Sequence, residues 1–545
     1  MDERKVKRHG LSASRETEKG RLLSGVLALT LANLFVKLLG FVYKVPLNAI
    51  LGDEMANVNA ACTVYALLYT VSTAGIPSAV ALTVSRARAS GREGRVRPIL
   101  EGCLVALLSV GLLLSLVLLL LARPLSLFNS GGDSYLCMLA ISPALFFSAV
   151  SCVFRGFFQG HGSMVPTAVS ECLEAMGKAG FGVGLALFCL RTLGGEVRNA
   201  AALSVFGITV GVALGALFLA LWYLRRGKSL LPPKEASASE GRRAALRIVL
   251  MTALPVALSS AMMSLSSFLD AQMMRPLLSS HYGDEGLAKA LYSDYSTGAL
   301  TLYNLPAVLI SPIAVAMIPY VAQALERGAV AKARLAAESA LRLTAVLSLP
   351  AAFGLSALSA PILSFVFRSD ADMAENAGPS LSVLAIAVFF AAILTVTTAA
   401  LQALRAEKRP ILSLGVGLAV KLCSMPVAVH FLGTTGVPLS TVFFFAVAAM
   451  LNLIFLARMI GIRVRFFSFF LRPLAASVLS AFAALFTYGA CRGNMNNGLS
   501  LLLAIGAAVL LYLIFLVLFR ALDREDVLLL PFGERIASRF NFLFK

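Results

Sequence analysis

Ionisable residues set inside long apolar runs define the chemistry open to this 545-residue chain. In the first run Asn33, Lys37 and Lys44 lie four and seven residues apart, so a helix carries all three on one stripe. Two ammonium groups on one face suit a pyrophosphate, to which lysine presents a compact point charge. A charge at the centre of a bilayer costs about 2.5–3.5 kcal/mol on insertion scales, so these groups need a cavity or a partner. The alternative is that Lys44 snorkels to the outer headgroups and Lys37 pairs with an acid from another helix. The fifth run holds Glu171, Glu174 and Lys178 on one face, with Glu174 placed N-terminal to Lys178 as a favourable ion pair. Two carboxylates against one ammonium leave one acid over, for a proton, a sodium ion or Lys37. In the seventh run Ser259, Ser266 and Asp270 form a stripe followed by Arg275, and Asp270 reads as a cavity or interfacial acid paired with a cation. Lys421 stands alone in the eleventh run and brings a cation to the cavity from the opposite wall. Arg155, at the inner end of the fourth run, has a simpler reading as a positive-inside residue.

The elements that position these groups are membrane helices. Apolar residues make up 59% of the chain, mean hydropathy is +0.84 and only 14% is charged, against about 25% in soluble domains. A soluble fold is excluded. The apolar runs are long enough to cross a bilayer as helix, and about fourteen spans consume nearly all the apolar residues. Little is left for a soluble or extracellular catalytic domain. The expected organisation is a basic cytoplasmic tail (1–21), a first six-helix lobe (22–224), a cytoplasmic linker (225–247), a second six-helix lobe (248–457), two extra helices (458–520) and a cytoplasmic tail (521–545).

The net charge of +19 would suggest nucleic acid in a soluble protein. Here most of the Lys and Arg fall in alternate loops, which predicts both termini inside and a basic face that attracts anionic membrane lipid, with no nucleic-acid partner. The eight Cys lie in or at the ends of apolar runs without CxxC spacing, and the four His are scattered. They form no metal or Cys/His catalytic pattern. No GxxxxGK[ST] phosphate loop is present.

Internal repetition supports the two lobes. GIPSAVALTVSRARA (75–89) aligns with ISPIAVAMIPYVAQA (310–324), Pro77 on Pro312, and FRGFFQGHGSMVP (154–166) aligns with LQALRAEKRP (401–410), Pro166 on Pro410. Six helices per lobe give both lobes the same membrane orientation, a parallel repeat about an axis along the membrane normal. Pro77, Pro255, Pro306, Pro312 and Pro319 interrupt spans 2, 7 and 8, as moving helices or as static kinks.

KLLGFVYKVPLNAILG (37–52), VYALLYTVSTAGIPSAVALTVSRA (64–87) and FRGFFQGHGSMVPTAVSECLE (154–174) resemble the multidrug/oligosaccharidyl-lipid/polysaccharide flippase superfamily, in its polysaccharide-transporter branch. The resemblance implies a bacterial plasma-membrane flippase for undecaprenyl-pyrophosphate-linked sugar, such as an oligosaccharide or peptidoglycan precursor. It also implies a functional link to glycosyltransferases or cell-wall synthases. No cofactor is expected, with Na+ or H+ as the candidate coupling ion. The resemblance matches Lys37 to a cavity arginine and puts Tyr43 where a second would stand. A cation-coupled multidrug exporter of the same superfamily is the alternative, although it would want acids rather than lysines in its first span. A membrane glycosyl-transfer enzyme or polymerase would want a large polar external loop. The last two helices, with Ala483, Ala484, Gly506 and Ala507 and no charged group in their central stretches, read as a support for the prenyl tail.

Overall fold

The computed structural model describes residues 31–89, 94, 96–130, 132–231, 241–307, 310, 321, 324, 328–368, 372–462, 467–493 and 495–519. Every regular element among them is a helix, as the all-α polytopic reading requires. In chain order they are α1 (31–42), α2 (Lys44–Leu51), α3 (Met55–Thr73), α4 (Ile76–Ala89), α5 (Val96–Ser130), α6 (Tyr135–Ile141), α7 (Ala144–Gly160), α8 (Val165–Thr192), α9 (Val197–Trp222) and α10 (Gly241–Tyr282). There follow α11 (Glu285–Asp294), α12 (Leu300–Tyr303), α13 (Val330–Ala357), α14 (Ser359–Val366), α15 (Met373–Ala403), α16 (Lys408–Leu432), α17 (Gly436–Ile460), α18 (Arg472–Arg492) and α19 (Asn497–Leu518).

Ten described stretches are long and apolar enough to span a membrane. Two of them, of 55 and 53 residues, each contain more than one helix. Much of the expected first and eighth spans, with Pro312 and Pro319, lies outside the described residues, as do both tails and 232–240 of the linker.

The chain forms two compact units, residues 1–264 and 265–545. The division falls within α10, downstream of the 225–247 segment. In the first unit the core joins α4, α5 and α7 to the start of α10, through Val80, Val84, Leu100, Phe157 and Ala253. Gly156 and Gly160 let α7 approach α4 so closely that an added Cβ would lie 2.7 Å from Val80 and Val84 respectively. Span 2 is broken as its sequence suggests, but at Gly75 rather than at Pro77. Gly75 has φ +77°, and a Cβ there would meet Val256 at 2.9 Å. Helix α10, by contrast, runs through Pro255 without interruption.

In the second unit α18 packs on α13, and α19 joins them through a bond from the Tyr512 hydroxyl to the Val346 carbonyl, 2.6 Å. Ala484 and Ala504 are fully buried where α18 and α19 meet α14, whereas Gly506 has open space beside it.

Both units end a helix in the same way. After α7, Gly162 (φ +78°) donates to the Gln159 carbonyl and Ser163 to that of Phe158. After α15, Arg405 (φ +56°) donates to the Gln402 carbonyl and Ala406 to that of Leu401. Each is a Schellman motif. They occur in the two segments that align by sequence, one residue out of register when Pro166 is set on Pro410.

Candidate functional site

In the first unit the acid-bearing face of α8 is positioned by glycine. Gly207, Gly211 and Gly215 of α9 recur every fourth residue and lie against the α8 backbone. A Cβ on Gly211 would sit 2.6 Å from the Glu174 carbonyl, and one on Gly207 would collide with the Gly182 nitrogen. Small residues at this period let membrane helices touch backbone to backbone, and the contact fixes α8 in rotation and depth.

The pairing on that face differs from the one expected. Glu174 turns to Arg155 of α7, whose Nη2 lies 2.9 Å from Glu174 Oε2, and not to Lys178. Arg155 Nη1 is 3.8 Å from Glu171 Oε1, and its Nε donates to the Ser170 hydroxyl at 3.1 Å. Arg155 is therefore not a headgroup cation at a span end. It is only 8% exposed, and its planar guanidinium addresses two carboxylates and a hydroxyl together, as an ammonium does not. Glu171 Oε2 is buried with no hydrogen-bond partner.

Lys178 stands instead against Tyr43, its Nζ 4.9 Å from the ring centroid. Tyr43 is buried at the turn that joins α1 to α2, where the backbone stays helical (φ −69°, ψ −23°). The adjoining Lys44 points toward α3, its Nζ 3.4 Å from Asn59 Oδ1. Asn33 and Lys37 lie on α1 with exposed side chains, and Lys37 makes no ion pair among the described residues. The α1–α2 turn thus meets α8 through Tyr43 and α3 through Lys44, and Lys37 stays exposed on α1.

In the second unit Lys421 of α16 has no free ammonium to offer a cavity, which corrects its reading as a substrate contact. It is 0% exposed and bound on all sides: Asp270 Oδ2 at 2.7 Å, the Ser266 hydroxyl at 2.8 Å and carbonyl at 3.2 Å, and the Thr441 hydroxyl at 3.0 Å. Ser266 and Asp270 are one turn apart on α10, and Thr441 comes from α17. The pairing of Asp270 with a cation holds, and the cation is Lys421. Asp270 is 4% exposed, and its Oδ1 has no hydrogen-bond partner. The same unit has an apolar groove of about 610 Å³ between α16 and α17, lined by Val420, Cys423, Val427, Phe431, Leu439 and Phe443.

Among the described residues no group of His, Cys, Asp and Glu could hold a metal ion. All eight cysteines are unbridged. Sequence reasoning missed Arg155 as the partner of the α8 acids, and it missed Asn59 and Thr441. The glycine ladder 207–211–215 is visible in the sequence and announces the α8–α9 contact.

The family model described as polysaccharide biosynthesis protein matches residues 22–325, more than half the chain. The chain belongs to that family. It is accordingly a multi-pass membrane transporter of the multidrug/oligosaccharidyl-lipid/polysaccharide superfamily. The MatE family model also matches residues 255–429. Among curated relatives from Bacillus subtilis, the chain is 27% identical over 529 residues to the uncharacterized membrane protein YabM, covering 94% of this chain and 96% of that protein. It is 24% identical over 456 residues to lipid II flippase MurJ (81% and 83% covered) and 23% identical over 542 residues to stage V sporulation protein B (96% and 100%). Of solved structures, lipid II flippase MurJ in an inward closed conformation aligns with TM-score 0.67 at 16% identity over 90% of this chain and 98% of that one. An inward-facing multidrug resistance MATE transporter aligns with TM-score 0.62 at 17% identity, over 78% and 94%. These likenesses establish the fold.

Proposed function

We propose that this family member flips undecaprenyl-pyrophosphate-linked sugar, an oligosaccharide or peptidoglycan precursor, from the inner to the outer leaflet of a bacterial plasma membrane by alternating access. The observation that carries the reading is the cationic first span. Lys37 stands open on α1, Lys44 follows on α2, and Arg155 engages the carboxylates of α8. Such a surface attracts a pyrophosphate and repels a cationic drug. Lipid II flippase MurJ among the relatives supports the same class of substrate.

With both termini inside, moving about two negative charges outward across a membrane about 100 mV negative inside gains about 4.6 kcal/mol. The membrane potential is thus a sufficient drive, and H+ or Na+ an additional one. The prenyl chain stays in lipid beside α18 and α19, and glycosyltransferases or cell-wall synthases supply and consume the substrate. A cation-coupled multidrug exporter is the second reading, favoured by the MatE match and the MATE-like fold.

Reconstituted vesicles separate the two. Translocation of a fluorescent undecaprenyl-pyrophosphate-linked sugar should be lost in Lys37→Ala and partly kept in Lys37→Arg, with membrane insertion intact in both. Normal transport by the alanine variant would reject Lys37 as a substrate contact. Exchange of protons for a cationic dye, without movement of the lipid-linked sugar, would establish the exporter.

A further inference from the structure

The Lys421–Asp270 pair of the second unit has the form of a cation in its shell. Four oxygens surround the Lys421 ammonium at 2.7–3.2 Å: one from the Asp270 carboxylate, the hydroxyl and carbonyl of Ser266, and the hydroxyl of Thr441. An ammonium has three protons to donate, so it meets more acceptors than its directed bonds require. The Phe444 ring covers a further side, 5.9 Å from Nζ. None of these oxygens comes from Lys421's own helix: α10 supplies the carboxylate, one hydroxyl and the carbonyl, and α17 supplies the other hydroxyl. Ser266, Asp270 and Thr441 are all buried, and Asp270 Oδ1 is a further buried oxygen with no hydrogen-bond partner. Carboxylate, hydroxyl and carbonyl oxygens are the donors that hold hard metal cations.

The charges of Asp270 and Lys421 sum to zero. A sodium ion entering beside them would leave one uncompensated positive charge in a low-dielectric interior, and displacing the ammonium would strand the ammonium instead. The tether widens the advantage, because a group fixed to the chain is present at high effective concentration and cannot diffuse away. Truncating the side chain reverses these conditions. Asp270 then has no counter-ion, three further oxygens remain on α10 and α17, and the space of a four-carbon stem opens beside them.

We propose that the Lys421 ammonium stands in place of a free alkali-metal ion, so that the second unit takes no Na+ at this shell, and that truncating Lys421 converts the shell into a Na+ site. For transport this deepens the flippase reading, on which it rests there, by giving Na+ no role through Asp270. The ion-binding statement itself does not depend on the substrate.

The test compares thermal unfolding of purified full-length protein in detergent, in NaCl and in choline chloride at equal ionic strength. The unmodified protein should melt alike in both salts. Lys421→Ala should melt about 2 °C or more higher in NaCl at about 100 mM, saturably, as expected for an ion bound by the native state alone. Lys421→Ser is a second truncation if the alanine protein is lost in purification. Asp270→Asn/Lys421→Ala removes the carboxylate charge as well and should show no Na+ response. Truncated proteins that fold and melt alike in both salts overturn the proposal, as does a response that survives in the double variant. A saturable Na+ shift in the unmodified protein that Asp270→Asn abolishes also overturns it, whether or not the truncations fold. No arm uses a lipid-linked substrate, so failure of the flippase reading in the vesicle assay is read separately.

Discussion

Replacing Lys421 by methionine keeps the aliphatic stem and removes the charge that Asp270 depends on. In the intact protein Lys421 Nζ lies 2.7 Å from Asp270 Oδ2, a separation worth about 6 kcal/mol of attraction at an effective dielectric of about 20. Desolvation of two buried ions cancels much of this, at several kcal/mol each. The asymmetry appears when one partner is removed. Asp270, 4% exposed, would keep only the Thr441 hydroxyl at 3.4 Å, and an uncompensated buried charge costs about 3–5 kcal/mol. Asp270→Val should cost a similar amount by stranding the ammonium. The double variant Asp270→Val/Lys421→Met leaves no charge behind, and Thr441 retains its bond to the Val437 carbonyl at 3.2 Å. It should lie within about 1–2 kcal/mol of the unmodified protein. Reversible unfolding in detergent of the four proteins gives the cycle directly. Single variants each costing less than about 1 kcal/mol, or a double variant as unstable as the sum of the singles, would refute the argument that the pair is charge-coupled.

Arg405 occupies a left-handed position (φ +56°) that glycine fills in the matching motif after α7, so Arg405→Gly should stabilise the protein by about 1 kcal/mol, read as a raised melting midpoint. Gly75→Ala should destabilise it by about 2 kcal/mol or more, since it combines a positive φ with a 2.9 Å approach to Val256; a neutral outcome would show that the α3–α4 break relaxes freely. Cysteine labelling in cells should place the 225–247 segment on the cytoplasmic side, and labelling from outside would invert the topology. Photocrosslinkers along α19 should capture polyprenyl lipid; capture only from probes at Val427 or Phe431 would move the prenyl site to the apolar groove on α16 and α17.

Much of the architecture is legible before any coordinate is known, because it follows from properties that act over one helix length. Apolar runs of bilayer length require membrane helices, since backbone groups in hydrocarbon must bond within their own segment. Charge alternation between loops, the paired segments 154–166 and 401–410, and the stripe of Asn33, Lys37 and Lys44 are likewise local or periodic signals. The polysaccharide-biosynthesis family match, over residues 22–325, covers the segments 37–52, 64–87 and 154–174 that carry the family resemblance.

Partnership is what tertiary structure decided. Glu174 and Lys178 have ideal spacing for an ion pair, and in isolation that pair would form. A guanidinium arriving from α7 makes a shorter, buried contact with Glu174 and leaves Lys178 to Tyr43. Lys421 reads as a solitary cation because its acid is 151 residues away, a distance over which no sequence period speaks. Burial then reverses its meaning, from a charge offered to substrate to one consumed inside the second unit. Sequence by itself determined which charges enter the membrane. Only packing decided which of them neutralise one another, because helices in lipid choose partners by close approach and by the cost of leaving a charge alone.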